Sequence, residues 1–382
     1  MQPSGIRSKI CIGYSDLLVN LPLVIMFQNI ALPALALVGV ATAACPFSIE
    51  ITGAENHVAQ VAVTNTGAET VTVFKGNTVF SEHATKDLLV TADGVALPFE
   101  GIDVNYRKSG LTPEMFQVIA PGETITASVN AAKTYKLGAV SEAEITAIQG
   151  FEYVFGSVAP TTLADMLFCD SVASAPLAIT VDQKVAAADH VLKRDSELQK
   201  SPSSRIKKRA VTYSGCTAAQ TSSLKTTVSD AIAMSKAASI AAGTGAAFFT
   251  AWFKSTSVAP KVQSIYNSVA GVQTTSPKIS CKDIYDACSN GMALLYAIPS
   301  DKVIVPCPNN GYWEFPEFAS TCAKDDYDRA GAILHEATHL YGTEDWAYGS
   351  TAARALSATK ASQNADTYEM YAGSVRLGGC SA

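Results

Sequence analysis

A chain of 382 residues with 48% hydrophobic and 16% charged residues is long enough for two or three domains and too apolar to be disordered. Its formal net charge of −6 argues against a nucleic-acid partner, because phosphate binding is driven by clustered Lys and Arg. An acidic balance suits cationic substrates better.

The first segment reads as an export signal, residues 1–44. Residues Leu21 to Ala44 are almost uniformly apolar and end in Ala41-Thr42-Ala43-Ala44, small residues that suit signal cleavage. Arg7 and Lys9 supply the charged start, and Met26 is a second candidate initiator. A membrane anchor is the competing reading, weakened by Pro22, Gln28, Asn29 and Pro33. The product is therefore expected to be secreted, extracellular and without stable membrane association. The cysteines agree with export: Cys45 and Cys169 flank the next segment, where a bridge would join its two ends, and an even set of six follows. Zinc-thiolate binding lacks the paired CxxC spacings it needs. A sharper reading of Cys169 makes it a thiolate that blocks a metal, but nothing around it adds support.

Residues 45–209 are expected to form a β-rich, sandwich-like propeptide. Val58 to Thr64, Val71 to Phe74, Thr124 to Val129 and Phe151 to Phe155 are short strand-like runs, punctuated by Asn-Thr-Gly and Lys-Gly-Asn turns. Ala186 to Gln199 reads as a polar helix, and His57, His83 and His190 as surface or turn residues. Lys208-Arg209 is a dibasic pair in a solvated charge run, a site for a processing convertase; Lys193-Arg194 is a weaker one.

From residue 210 to 382 the pattern turns helical. Thr217 to Ala242 places Leu224, Val228, Ile232 and Met234 at helical spacing, with Gly243 and Gly245 ending the run. Ala246 to Phe253 and Val262 to Val272 predict two more helices, the aromatic cluster of Phe248, Phe249, Trp252 and Phe253 being core. Ile279 to Asp283 and Ala293 to Val305 predict strands, the latter folded over Pro299-Ser300-Asp301. A sheet edge here would hold an extended peptide by adding it as a strand.

His335-Glu336-Ala337-Thr338-His339 carries the chemistry. Residues i and i+4 leave a helix on one face, so both imidazoles can reach one metal ion, and Glu336 borders it as a general base for water. Asp325, Asp326 and Asp328 suit the first turn of that helix, and Gly342 ends it. A catalytic zinc needs a third protein ligand. Position 345 is Asp where a third His would stand. Asp345 is the best candidate, with Glu369 as a distant alternative. Glu344 should point away, since neighbours on an extended segment face opposite ways.

With Gly342-Thr343-Glu344-Asp345-Trp346-Ala347-Tyr348-Gly349 added, the stretch resembles the HExxH and GTxDxxYG pattern of the aspzincin peptidases, the deuterolysin (M35) family. Asn364 to Ala372 is similar to that family's C-terminal segment, and the order of signal, long propeptide, basic site and six-cysteine domain also matches. The resemblance implies an α+β protein with a mainly helical, zincin-like metallopeptidase domain and a small β-sheet. It implies one Zn²⁺ per mature chain on His335, His339 and Asp345, Glu336 as base and Tyr348 as hydrogen-bond donor to the oxyanion. It further implies disulfides Cys216–Cys281, Cys288–Cys307 and Cys322–Cys380. In a lysine-specific branch of the family, acidic residues in the last segment line the pocket for the residue after the cut. Asp366 and Glu369 would then favour basic protein or peptide substrates. The plainer reading has Asp366 orient a zinc ligand or cap the helix, with Glu369 solvated. A monomeric secreted metalloendopeptidase, made as a zymogen, is the expectation. The alternative is a secreted, catalytically inactive binding or effector protein on the same scaffold.

Overall fold

A computed structural model of the protein describes residues 45–190, 210–246, 248–321 and 328–379. The expected export signal, the Lys208-Arg209 and Lys193-Arg194 sites and the Cys322–Cys380 bridge lie outside these residues. Residues 45 onward form one compact unit. Among the described residues the fold is mixed α+β with three sheets.

Strands dominate the first half: β1 (Phe47–Glu55), β2 (Val58–Asn65), β3 (Val71–Phe74), β4 (Leu88–Ala92), β5 (Val95–Ala96), β6 (Asp103–Tyr106), β7 (Phe116–Ile119), β8 (Thr124–Asn130), β9 (Glu142–Phe155), β10 (Leu167–Ala173) and β11 (Leu177–Thr180), then helix α1 (Gln183–Asp189). Antiparallel β1-β2-β8 make one sheet, and β5-β4-β9-β3-β7 a second that β10 and β11 join through β9. Buried and exposed side chains alternate along β1 and most of β9, as a two-fold pleat with one dry face requires. Phe47, Ile49, Val61, Val63, Val73, Val90, Ile145 and Phe151 share the core between the two sheets. Cys45–Cys169 ties the start of this region to β10.

The second half holds β12 (Thr212–Ser214), α2 (Ala218–Thr244), α3 (Phe249–Phe253), α4 (Ala259–Ala270), α5 (Val272–Thr275), β13 (Lys278–Ser280), β14 (Ala293–Ile298), β15 (Val303–Pro306), α6 (Arg329–His339), α7 (Gly349–Ala355), α8 (Ala358–Ala361) and α9 (Ala365–Arg376). Thr217 and Gln220 form a reciprocal capping box at the start of α2. Gly243 lies inside α2, contrary to its expected role as a breaker; Gly245, left-handed at φ 64°, ends the helix. Cys216–Cys281 and Cys288–Cys307 are present. Among the described residues, no helix is long and apolar enough to cross a membrane.

The third sheet crosses the boundary between the halves. Its order is β12-β13-β15-β14-β6, so a strand from the first half closes the edge of a sheet otherwise built by the second. Asp103 pairs with Ala297, Val104 with Tyr296 and Asn105 with Leu295, antiparallel. A mixed core of Phe74, Val104, Tyr106, Met115 and Leu163 with Met292, Tyr296, Val305 and Tyr348 seals this junction. Each such side chain stabilises it by roughly 1.5–3 kcal/mol on burial.

Two of the three remaining histidines correct the sequence reading. His57 and His190 are buried, because α1 packs on the turns at residues 131–139 and brings Asp189 to His57 between β1 and β2. His57 Nε2 lies 2.9 Å from Asp189 Oδ2, and His190 Nε2 lies 3.4 Å from Glu100. His83 is half-buried and stacks on Tyr106.

Candidate metal centre

Helix α6 is buried on every side, so its residues are set by packing as much as by chemistry. Ala330, Ala332, Ile333, Leu334 and Ala337 fill the core while His335, Glu336 and His339 project towards the third sheet and the following loop. Asp328 caps it by accepting from the Gly331 amide at 2.5 Å. Asp325 and Asp326 are outside the described residues. Gly331 has no Cβ for a packing reason: one built there would lie 2.8 Å from Asp328 Oδ1 and 3.2 Å from Glu369 Oε1. Glycine thus lets the Glu369 carboxylate of α9 close onto α6. Past the helix, Gly342 adopts φ 91°, the left-handed conformation that turns the chain back.

That turn brings Asp345 to the histidines. Its Oδ1 lies 3.2 Å from His335 Nε2 and its Oδ2 3.3 Å from His339 Nε2. Glu344 faces the other way, half-buried, and pairs with Lys86 at 2.5 Å. Asn364 holds the loop: its side-chain oxygen accepts from the Trp346 amide (2.8 Å) and the Ala347 amide (3.0 Å), and its Nδ2 donates to the Ala347 carbonyl (3.1 Å). Sequence reasoning missed Asn364, although a polar residue opening the helix next to two acidic candidates was a usable signal.

The far side of each imidazole is fixed. His339 Nδ1 donates to the Thr343 carbonyl at 3.1 Å, so it carries the hydrogen and Nε2 carries the lone pair. His335 Nδ1 lies 3.1 Å from Asp366 Oδ1 and 3.3 Å from Glu369 Oε2. Buried acidic partners behind a histidine are the usual means of orienting a metal ligand. Asp366 also accepts the Gly349 amide at 2.6 Å through Oδ2. The plainer reading of Asp366 is therefore part of what the structure holds, and Glu369 is buried where that reading had it solvated.

His335 Nε2, His339 Nε2, both oxygens of Asp345 and both oxygens of Glu336 are buried without a hydrogen-bond partner. Acceptors facing acceptors at 3.2–3.3 Å in a dry site are costly unless a cation lies among them. The titration behaviour says the same. Burial would lower His339, yet Asp345 and Asp103 push it up to about 9. Burial would raise Asp345, yet the two imidazoles hold it well below the usual carboxylate range. Burial pushes the Glu336 carboxyl up to about 8. The donor set of two imidazoles and a carboxylate fits Zn²⁺. His335, Asp366 and Glu369 form a second group of possible ligands, but through Nδ1, and there a lysine ammonium already supplies the cation.

The first half reaches this site at points no motif marked. Tyr348, buried, donates its hydroxyl to the Val104 carbonyl at 2.8 Å, and its amide donates to Glu152 at 2.7 Å. Asn77 Nδ2 donates to the Asp345 carbonyl at 2.5 Å. Asp103 Oδ2 lies 3.7 Å from His339 Nδ1. Lys108 Nζ lies 2.7 Å from Asp366 and 3.4 Å from Glu369. A cavity of about 220 Å³ opens beside Asp345, lined by Lys86, Asp103, Gln149, Glu344 and Trp346 among others.

A helix bearing two imidazoles with a carboxylate between them, a carboxylate returned by the next loop and a flanking sheet define a metallopeptidase. The deuterolysin metalloprotease (M35) family matches residues 22–379. The chain belongs to this family. It is 32% identical to a neutral protease 2 homolog of Sclerotinia sclerotiorum over 342 residues, covering 86% of this chain and 90% of the relative. It is 31% identical to one of Botryotinia fuckeliana over 342 residues (86% and 91%) and 32% identical to one of Phaeosphaeria nodorum over 343 residues (87% and 91%).

Proposed function

We propose that this chain is the precursor of a secreted, zinc-dependent endopeptidase, with residues 1–44 as signal, 45–209 as propeptide and 210–382 as the mature enzyme, which begins at the cut after Arg209. The convergence of His335 Nε2, His339 Nε2 and Asp345 beside an intact Glu336 carries this reading.

The three converging residues would hold one Zn²⁺. When bound, the ion supplies Lewis acidity that lowers the pKa of a water and polarises the scissile carbonyl. Glu336 takes a proton from the attacking water and delivers it to the leaving amine. Its dry surroundings keep the carboxyl a usable base and acid in turn. Tyr348 donates to the oxygen that gains charge; its present donation to the backbone carbonyl of a strand is the bond it would make to a substrate. Asp366 and Glu369 orient His335 and offer negative charge to a basic side chain, which supports a preference for basic proteins. The observed ion pairs to Lys108 support that chemistry. No observation favours the inactive-scaffold reading.

The test is to express the full chain, sequence the new N-terminus, and assay a basic protein with and without chelator. Chelator-sensitive cleavage, enriched for Lys or Arg after the cut, is expected. Chelator-insensitive cleavage, or none from processed, zinc-loaded 210–382 separated from the first half, would sink the enzyme reading. Cleavage without that enrichment would remove the basic pocket alone.

A further inference from the structure

Six consecutive residues of the first half occupy the three features a peptide substrate would use. Asp103 to Asn105 pair antiparallel with β14, closing the sheet edge, and the Arg107 amide continues the pairing to the Met292 carbonyl at 2.8 Å. The Val104 carbonyl takes the Tyr348 hydroxyl at 2.8 Å. Lys108 then turns its side chain inward, fully buried, to Asp366 at 2.7 Å and Glu369 at 3.4 Å.

A buried ammonium is tolerated only where its charge is matched at hydrogen-bond distance. Lys108 meets that condition with two carboxylates, and His335 Nδ1 shares both of them. The backbone on either side is held too: the Leu163 amide donates to the Lys108 carbonyl at 2.8 Å, and the Arg107 guanidinium donates to the Asn310 carbonyl at 3.1 Å. The ammonium is therefore a fixed occupant of the acidic pocket.

We propose that residues 103–108 are an intramolecular stand-in for substrate, with Lys108 as the plug of the acidic pocket, so that the first half inhibits the enzyme until it is physically displaced. The inference rests on the reading of this chain as a peptidase whose Asp366–Glu369 pocket takes basic side chains. It adds that cutting after Arg209 leaves the plug in place, because the contacts of residues 103–108 are far from that cut in sequence and do not depend on it. The separated first half is then a competitive inhibitor. Its ligand chemistry is that of a lysine side chain on an extended strand.

The experiment uses the full chain with Lys208→Ser and Arg209→Ser, which prevents cleavage, alone and combined with Lys108→Met or Lys108→Arg. A short basic peptide is the substrate. The uncut Lys108 protein is expected to be silent, Lys108→Met to gain at least tenfold in rate, and Lys108→Arg to stay near silent because its charge still fills the pocket. A second readout needs no variant at Lys108. Wild-type protein is cut after Arg209 and run on a sizing column in N-acetyl-lysinamide or N-acetyl-norleucinamide. The two fragments should co-elute, and only the lysine amide should separate them. Unchanged silence in folded Lys108→Met, full activity of the uncut parent, or equal release by both amides would overturn the plug. If Lys108→Met fails to fold, the amide comparison decides. Loss of the peptidase reading itself would show differently, as inactivity of the cut and separated enzyme, while the co-elution result would still judge Lys108.

Discussion

Residues 45–190 and 210–379 meet at one site but contribute to it in opposite ways. The second half delivers its reactive groups from a short stretch, His335 to Tyr348, plus one turn of α9. The first half sends single side chains from separate strands and loops: Asn77, Lys86, Asp103, Lys108 and Glu152. One half holds the converging histidines and carboxylates, and the other holds the backbone and charge that satisfy them in the full chain. The contrast teaches that a catalytic set can be locally encoded while its restraint is encoded by topology, since only folding brings strand β6 to β14.

The widest separation between the halves should come from Glu336→Gln. Loss of the base is expected to reduce kcat by about 10²–10⁴-fold with zinc content unchanged; metal analysis beside the kinetics checks it, and retained turnover would reassign the base. Tyr348→Phe should follow, lowering kcat on the order of 10²-fold with little change in KM, if its hydroxyl serves the oxyanion. An effect on KM alone would return Tyr348 to a packing role. On the other side, replacing Cys45 and Cys169 together by Ser should destabilise the first half by about 2–5 kcal/mol, read as an earlier denaturant midpoint. The separated 210–382 enzyme should be unaffected, because neither cysteine is in it. The last effect concerns pH. Burial pushes Asp87 up to about 7. Its folded form holds a proton that the unfolded chain has released above about pH 4. The Asp87 contribution to stability is therefore full below that value and falls as pH climbs towards 7, and Asp87→Asn should flatten this part of the slope in urea titrations. A slope unchanged in the variant would place the titration elsewhere.

Much of the second half could be read from its residues. The i, i+4 histidines, the Gly342 turn, the inward Asp345 and outward Glu344, and the strand folded over Pro299 all follow from period and turn chemistry that act within a few residues. The strands of the first half were legible for the same reason, through alternation. What stayed hidden depends on long-range pairing. Lys108 looks like any surface lysine until β6 is placed on β14, and His57 looks exposed until α1 covers it. Asn364 reads as a polar residue at a helix start, and only the returning 345–348 loop gives its amide a purpose.

The sheet edge has a practical consequence for handling residues 210–382 once they are parted from β6. With β6 gone, β14 presents a row of amides and carbonyls without strand partners, next to apolar side chains such as Met292 and Tyr296. Concentrated stocks should then lose material by edge-to-edge association or by mutual digestion. The colloidal behaviour of residues 210–382 would be set by how β6 is removed, and storage with the first half still seated should keep them clear in solution.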